Sequence, residues 1–122
     1  MIYEMELSDK IIGCAIAVHK ELCAGYLEKE YERALCVEFN YQGISYISQV
    51  PIQVFYRDQI VGDYVADIIV EGKIILKLKA CNIINSMHSA QIINYLSATG
   101  LKVGYILNFG NEAKLEFKRI VH

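Results

Sequence analysis

The chain reads as an α/β domain of the α+β kind, a mixed β-sheet flanked by helices, with elements in the order ααββββαββ. Three observations predict it. Apolar residues recur at helical spacing up to Gln42; from Ile44 the period drops to two; and the unalternating run Ile74-Ile75-Leu76 marks a strand buried on both faces, as at the centre of a layered sheet.

The first helix runs from about Ser8 to Cys23, with Ile11, Ala15, Val18 and Leu22 on its apolar stripe and Ile12, Ile16 and His19 beside it. Ser8 suits an N-cap and Gly25 a C-cap. A second helix spans about Leu27 to Gln42, carries Tyr31, Ala34, Leu35 and Phe39 inward, and ends at Gly43. Ile44 to Ser48 and Ile52 to Tyr56 read as two strands separated by Pro51. Arg57-Asp58-Gln59 turns the chain into Val61 to Val70, and Glu71-Gly72 turns it again into Lys73 to Ala80. A helix from about Ser86 to Thr99, capped by Asn85 or Ser86 and stopped by Gly100, leads to a strand at Lys102 to Phe109. Gly110-Asn111 then turns into a last strand, Ala113 to Val121.

At 122 residues, 54% hydrophobic and with one proline, residues 1–122 are expected to form a single domain with a real core. The apolar run Ile11 to Val18 is too short to span a bilayer, and Glu4, Glu6 and Asp9 before it are the wrong flank for a signal peptide, so no membrane and a cytoplasmic location are expected. Cys14, Cys23, Cys36 and Cys81 lack ligand spacing, which predicts buried free thiols rather than zinc. The net charge of −2 makes no global case for nucleic-acid binding. Its distribution is uneven: residues 1–60 carry five Lys/Arg against nine Asp/Glu, and residues 61–122 seven against five.

The chemistry concentrates at Asp67 and the run Lys77-Leu78-Lys79. Alternation puts Lys73, Ile75, Lys77 and Lys79 on one face of their strand, and Asp67 shares a face with Glu71 on the strand before, so Asp67, position 77 and Lys79 converge. A hard cation such as Mg²⁺ needs carboxylate oxygens, polarises a phosphate and activates water; a neighbouring lysine steadies the developing charge. On spacing alone, surface charges flanking a hairpin explain the same residues.

The wider pattern is more specific. Gly25-Tyr26-Leu27-Glu28-Lys29-Glu30-Tyr31 fits Gly-x-x-Glu-x-x-Tyr. It is followed in order by Gln49-Val50-Pro51-Ile52, Asp67, Leu78-Lys79-Ala80, His88-Ser89-Ala90-Gln91, Asn94-Tyr95-Leu96, Gly104 to Gly110 and Lys118-Arg119-Ile120-Val121. Together these resemble the GxxExxY family, small prokaryotic proteins grouped with the PD-(D/E)xK nucleases, over about Lys10 to Val121. The resemblance implies a restriction-endonuclease-like core with Glu28, Asp67, Lys79 and Gln91 around a catalytic site. Asp67 would be a direct metal ligand, Glu28 would reach the metal from the second helix, and Lys79 would be the lysine of an acid-x-lysine step. Tyr31 belongs to the signature, and Gln91 lies one helical turn before Tyr95, so both can face the sheet.

Lys77 departs from that pattern, because it stands where the acid of the step belongs. Exchanging a carboxylate for an ammonium changes the local charge by two units. At about 6 Å and an effective dielectric near 20 each unit pair is worth roughly 3 kcal/mol, or about 10 kcal/mol of attraction for a divalent ion before screening. Lys77 is therefore expected to pair with Asp67 and to weaken or abolish Mg²⁺ or Mn²⁺ binding. Glu71 is a remote replacement ligand, and a Lys77 turned outward at a strand irregularity would leave Asp67 and Glu28 free. His19 is expected to pack, and His88 either to touch phosphate or to cap its helix. Lys114, Lys118 and Arg119 fit a nucleic-acid backbone or a charged edge strand equally well. The expected function is a nuclease-like domain with a degenerate metal site that binds nucleic acid, DNA or RNA, or a protein. The alternatives are a weak Mg²⁺- or Mn²⁺-dependent nuclease and a homodimeric interaction module.

Overall fold

The computed structural model describes residues 3–122. Its elements are α1 (Met5–Leu22), α2 (Glu28–Gln42), β1 (Tyr46–Tyr56), β2 (Gln59–Val70), β3 (Ile74–Lys79), α3 (Ser86–Thr99), β4 (Val103–Asn108) and β5 (Glu116–Val121). They build a five-stranded sheet in the order β1-β2-β3-β4-β5. The β3–β4 pair is parallel, with α3 as the crossover, and the other pairs are antiparallel.

The order is thus ααβββαββ, one strand fewer than expected, because β1 runs unbroken through Pro51. Pro51 pairs with Val65 on the outermost strand, where a missing backbone amide removes no second ladder. The hairpin that follows turns at Arg57 and Asp58, both in the left-handed region (φ 47° and 65°) as a two-residue turn demands.

Helix α1 starts at Met5, so Ser8 is not its cap. Ser8 is buried inside the first turns, and its Oγ accepts from Arg119 Nη1 at 3.0 Å. Arg119 also donates to the Tyr105 hydroxyl at 2.9 Å. It therefore ties β5 to α1 instead of joining exposed Lys114 and Lys118 on a charged surface. The helix closes at Cys23 rather than Gly25, with the Cys23 amide on the His19 carbonyl at 2.9 Å. His19 itself is buried and bonded to the Asn111 carbonyl oxygen at 2.8 Å, the packing role expected of it.

Helix α2 buries Tyr31, Leu35 and Phe39. The Tyr31 ring stacks on Phe109 at 4.7 Å and its hydroxyl donates to the Cys23 carbonyl, so Tyr31 is committed to the core. Helix α3 begins at an Asn85 side chain that accepts from the amides of Met87 and His88. His88 returns the contact by accepting from the Asn85 amide at 3.3 Å. Its capping role is thereby established.

Helices α1 and α2 cover one face of the sheet, burying Ile68, Val70, Ile74, Leu76, Leu78 and Leu107. Helix α3 covers the other, with Ile92 and Leu96 against Ile75 and Ile106. Gly104 allows that second approach, since a Cβ there would lie 2.8 Å from Ile92 Cγ1. Among the described residues no helix is long and apolar enough to cross a membrane. The four cysteines are free, but only Cys14 is fully buried, its thiol pushed up to about 11 by burial and by the charge of Glu38. Cys23 is exposed, against the expectation of sheltered thiols.

Candidate functional site

The site begins where the sheet splits. β2 and β3 pair only from Ile68↔Leu76 to Val70↔Ile74. Past Ile68, β2 continues with β1 to the hairpin tip, whereas β3 continues with β4 as far as Lys79↔Asn108. The central strands diverge and the Leu78 amide has no strand partner on that side. The Asp67 side chain takes it, with Oδ2 accepting at 2.7 Å. A carboxylate here replaces a ladder bond that the divergence removed.

The split coincides with a reversal of faces. Tyr46 and Val70 pack against the α1–α2 layer, while Val50 and Ala66, a few residues along the same ladder, pack against α3. Such a reversal needs one residue out of phase in each strand. Those residues are Gln49, with φ 55°, and Asp67, which fall between the pairs Ser48↔Ile68 and Val50↔Ala66 and are not themselves paired in the ladder. Asp67 thus sits in a gap open to both helical layers.

Lys77 enters the same gap. Its Nζ lies 3.6 Å from Asp67 Oδ1, and each side chain is 17% exposed. The expected Lys77–Asp67 pair is present. On the α2 side stands Glu32, whose two carboxylate oxygens accept from Gln49 Nε2 at 2.8 and 3.0 Å. Burial pushes the Glu32 carboxyl up; the Gln49 hydrogen bond opposes this, Asp67 adds to it, and Lys77 and Arg33 pull it back. On the α3 side the Tyr95 hydroxyl is pushed up by burial and by Asp67 and Tyr64, against the pull of Lys77.

Glu28, the carboxylate expected at the site, is exposed in the first turn of α2 and makes no side-chain hydrogen bond or ion pair among the described residues. Glu32, one turn further along the same stripe, is the α2 acid whose field reaches Asp67 and Lys77. Helical spacing from Glu28 was the available signal for it. Gln49 opens the matched run Gln49-Val50-Pro51-Ile52, but its contact with Glu32 had no signal of its own, since its place depends on the face reversal. Glu71 lies exposed in the β2–β3 turn with φ 50°.

Lys79, His88, Gln91 and Tyr95 do come together. With Tyr64 and Asn94 they line a groove of about 420 Å³ between α3 and the distal half of the β1–β2 hairpin. A separate concavity of about 490 Å³, lined by Ile16, His19, Lys20 and Phe117, contains neither Asp67 nor Lys77 and is not this site.

The chain was compared with known protein families once this geometry was in hand: a mixed sheet whose central strands part at Asp67, beside a strand that ends in Lys79. Residues 5–120 match the family model described as the PD-(D/E)XK nuclease superfamily. The chain belongs to the PD-(D/E)XK nuclease superfamily. No curated protein matches the chain, and no solved structure does.

Nucleases of this superfamily generally use divalent metals. The residues present here do not fit one. Asp67 spends one oxygen on an amide and faces an ammonium with the other, and Glu32 has both oxygens on Gln49. Among the described residues no group of three or more His, Cys, Asp and Glu could hold a metal ion. A Mg²⁺-type ion, which needs several free oxygens, finds at most a compensated carboxylate in this superfamily member.

The Glu32 shift sets a pH dependence. In the folded chain this carboxyl keeps its proton at pH values where the unfolded chain has released it. Its contribution to stability is therefore full below the ordinary value of 4.5 and is lost as pH rises through the raised folded value. Glu32→Gln is expected to melt at a higher temperature than wild type at pH 7 and at nearly the same temperature at pH 4. Thermal melts at both pH values check this, and an equal gain at each would place the effect outside titration.

Proposed function

We propose that this domain binds nucleic acid and does not hydrolyse it. The observation that supports the reading most is the Lys77–Asp67 pair, which sets an internal cation where the superfamily's metal chemistry requires an acid. A fixed ammonium attracts a phosphate as a point charge but cannot generate a nucleophilic water. Lys79, at the end of β3, extends the positive charge to the mouth of the α3 groove. Mg²⁺ or Mn²⁺ binds weakly or not at all in this reading, and the catalytic roles of Glu28, Asp67, Lys79 and Gln91 are vestigial. Within the superfamily we place the chain with the GxxExxY group, on Gly25, Glu28, Tyr31 and the ordered matches that follow, and we place its action in the cytoplasm.

Nucleic-acid binding of this kind releases counterions, so affinity falls linearly with salt on a log–log plot. Titration of a labelled oligonucleotide by fluorescence anisotropy, between roughly 50 and 200 mM salt, is expected to show that slope. Lys79→Ala is expected to lower the slope by about one and to weaken binding evenly across sequences. No cleavage is expected with Mn²⁺ present; cleavage abolished by Asp67→Ala would replace this reading with the enzyme one.

One observation favours a second reading, self-association. β1 is an outer strand without a single charged residue, and its Ile47, Phe55 and Tyr56 are exposed. Long uncharged edges invite pairing with another strand. A dimer by light scattering, lost when Gln53 is replaced by lysine, would support it.

A further inference from the structure

We infer that the trough between α3 and the β1–β2 hairpin takes a single strand of nucleic acid, its unstacked bases laid against Tyr64 and Phe55. This rests on the nucleic-acid reading above and names the form of the ligand. The groove of about 420 Å³ adjoins a second concavity of about 590 Å³, and the two share Val54, Tyr64 and Asn94. They make one channel along α3, with Lys79 and His88 at one end and Phe55 and Ser97 at the other.

Aromatic surface in this channel is available rather than spent on the core. Tyr64 is 47% exposed and Phe55 59% exposed. Tyr64 leans on Tyr95, with ring centroids 5.8 Å apart and planes at 49°, which holds the Tyr64 ring at a set angle while leaving a face open. The channel exists because β2 leaves β3 at Asp67: the freed half of the hairpin stands away from the sheet and forms the wall opposite α3.

The chemistry of the lining selects against a duplex. A double helix buries its base faces and offers phosphates and groove edges, whereas an aromatic wall is useful only to bases that have left the stack. The side-chain amides of Gln91, Asn94 and Gln53 each present a donor and an acceptor, which suits exposed base edges of any kind. Among the described residues no carboxylate lines either concavity, which keeps like charge off the walls that a phosphate would touch. One cationic end followed by interleaved rings and amides is the pattern of sequence-tolerant single-strand binding.

The test compares a labelled single-stranded DNA, the same sequence as RNA, and the matching DNA duplex by anisotropy at one salt concentration. A 2-aminopurine placed within the single strand reports stacking directly. The expected result is tighter binding of either single strand than of the duplex, with quenched 2-aminopurine emission. Tyr64→Ala is expected to weaken single-strand binding about tenfold and to relieve the quenching, while leaving the salt slope unchanged. Phe55→Ala, at a more exposed position on the hairpin, is expected to act in the same direction, and Tyr64→Phe to retain binding. Duplex binding equal to or tighter than single-strand binding would overturn this inference and leave the nucleic-acid reading standing. Binding of no oligonucleotide at any salt concentration would overturn both.

Discussion

Replacing Asn108 with leucine is expected to lower the unfolding free energy by about 3–5 kcal/mol, the largest loss of stability foreseen for a single polar side chain here. Asn108 is fully buried at the end of β4 and uses all of its hydrogen-bonding capacity. Its Oδ1 accepts from the amides of Cys81 at 3.0 Å and Gly110 at 3.1 Å. Its Nδ2 donates to the Cys81 carbonyl at 2.9 Å and to Glu116 Oε1 at 2.8 Å. Leucine matches the volume but strands those partners, and each unsatisfied buried group costs about 1–3 kcal/mol, less than additively. The contacts also hold the loop that carries the chain from Lys79 to α3: Glu116 accepts from the Ile84 amide, and a Cβ on Gly110 would strike the Cys81 backbone. A melting temperature lower by roughly 10–20 °C is expected for a domain of this size. Urea denaturation followed by circular dichroism checks the figure, and a loss below about 1 kcal/mol would show that water satisfies the stranded groups.

Lys77→Glu is expected to give the largest change in function: measurable Mn²⁺ binding by calorimetry where wild type shows none. The substitution reverses a charge 3.6 Å from Asp67 and frees that carboxylate oxygen. If only a third of the roughly 10 kcal/mol of unscreened attraction survives, the affinity for a divalent ion still rises by about two orders of magnitude. Without metal the variant is expected to bind nucleic acid less tightly and to be less stable, because three carboxylates then face one another across the gap. If the variant alone binds metal and cleaves a mixed nucleic-acid substrate, Lys77 is the inactivating change in an otherwise intact site. Binding and cleavage by wild type would show that another carboxylate has taken over. Silence from both would mean that the split in the sheet holds no latent metal site.

Local chemistry made some elements legible to the residue. Helix α3 was readable as Ser86–Thr99 because its start and stop are set by adjacent residues: the Asn85 side chain satisfies first-turn amides, and Gly100 adopts φ 77°. Asp67 and Lys77 were legible for a similar reason, since strand alternation across one short turn brings them together. For Pro51 and Ser8 the neighbouring residues alone point the wrong way. Pro51 is harmless only on an outer strand, and Ser8 is satisfied by Arg119, 111 positions away.

By itself, then, the sequence determined the fold class, the helix ends with local caps and the ion pair in the gap, which depend on short-range spacing, and the superfamily, which depends on the order of matched segments along nearly the whole chain. Tertiary structure alone decided that β2 leaves β3 at Asp67, that both hairpin strands reverse their faces there, and that Glu32 with Gln49 reaches the gap while Glu28 stays in solvent. No local pattern encodes those outcomes, because burying the β1–β2 hairpin against two different helical layers is a property of the whole sheet, and a one-residue change of phase is settled by what packs on each side.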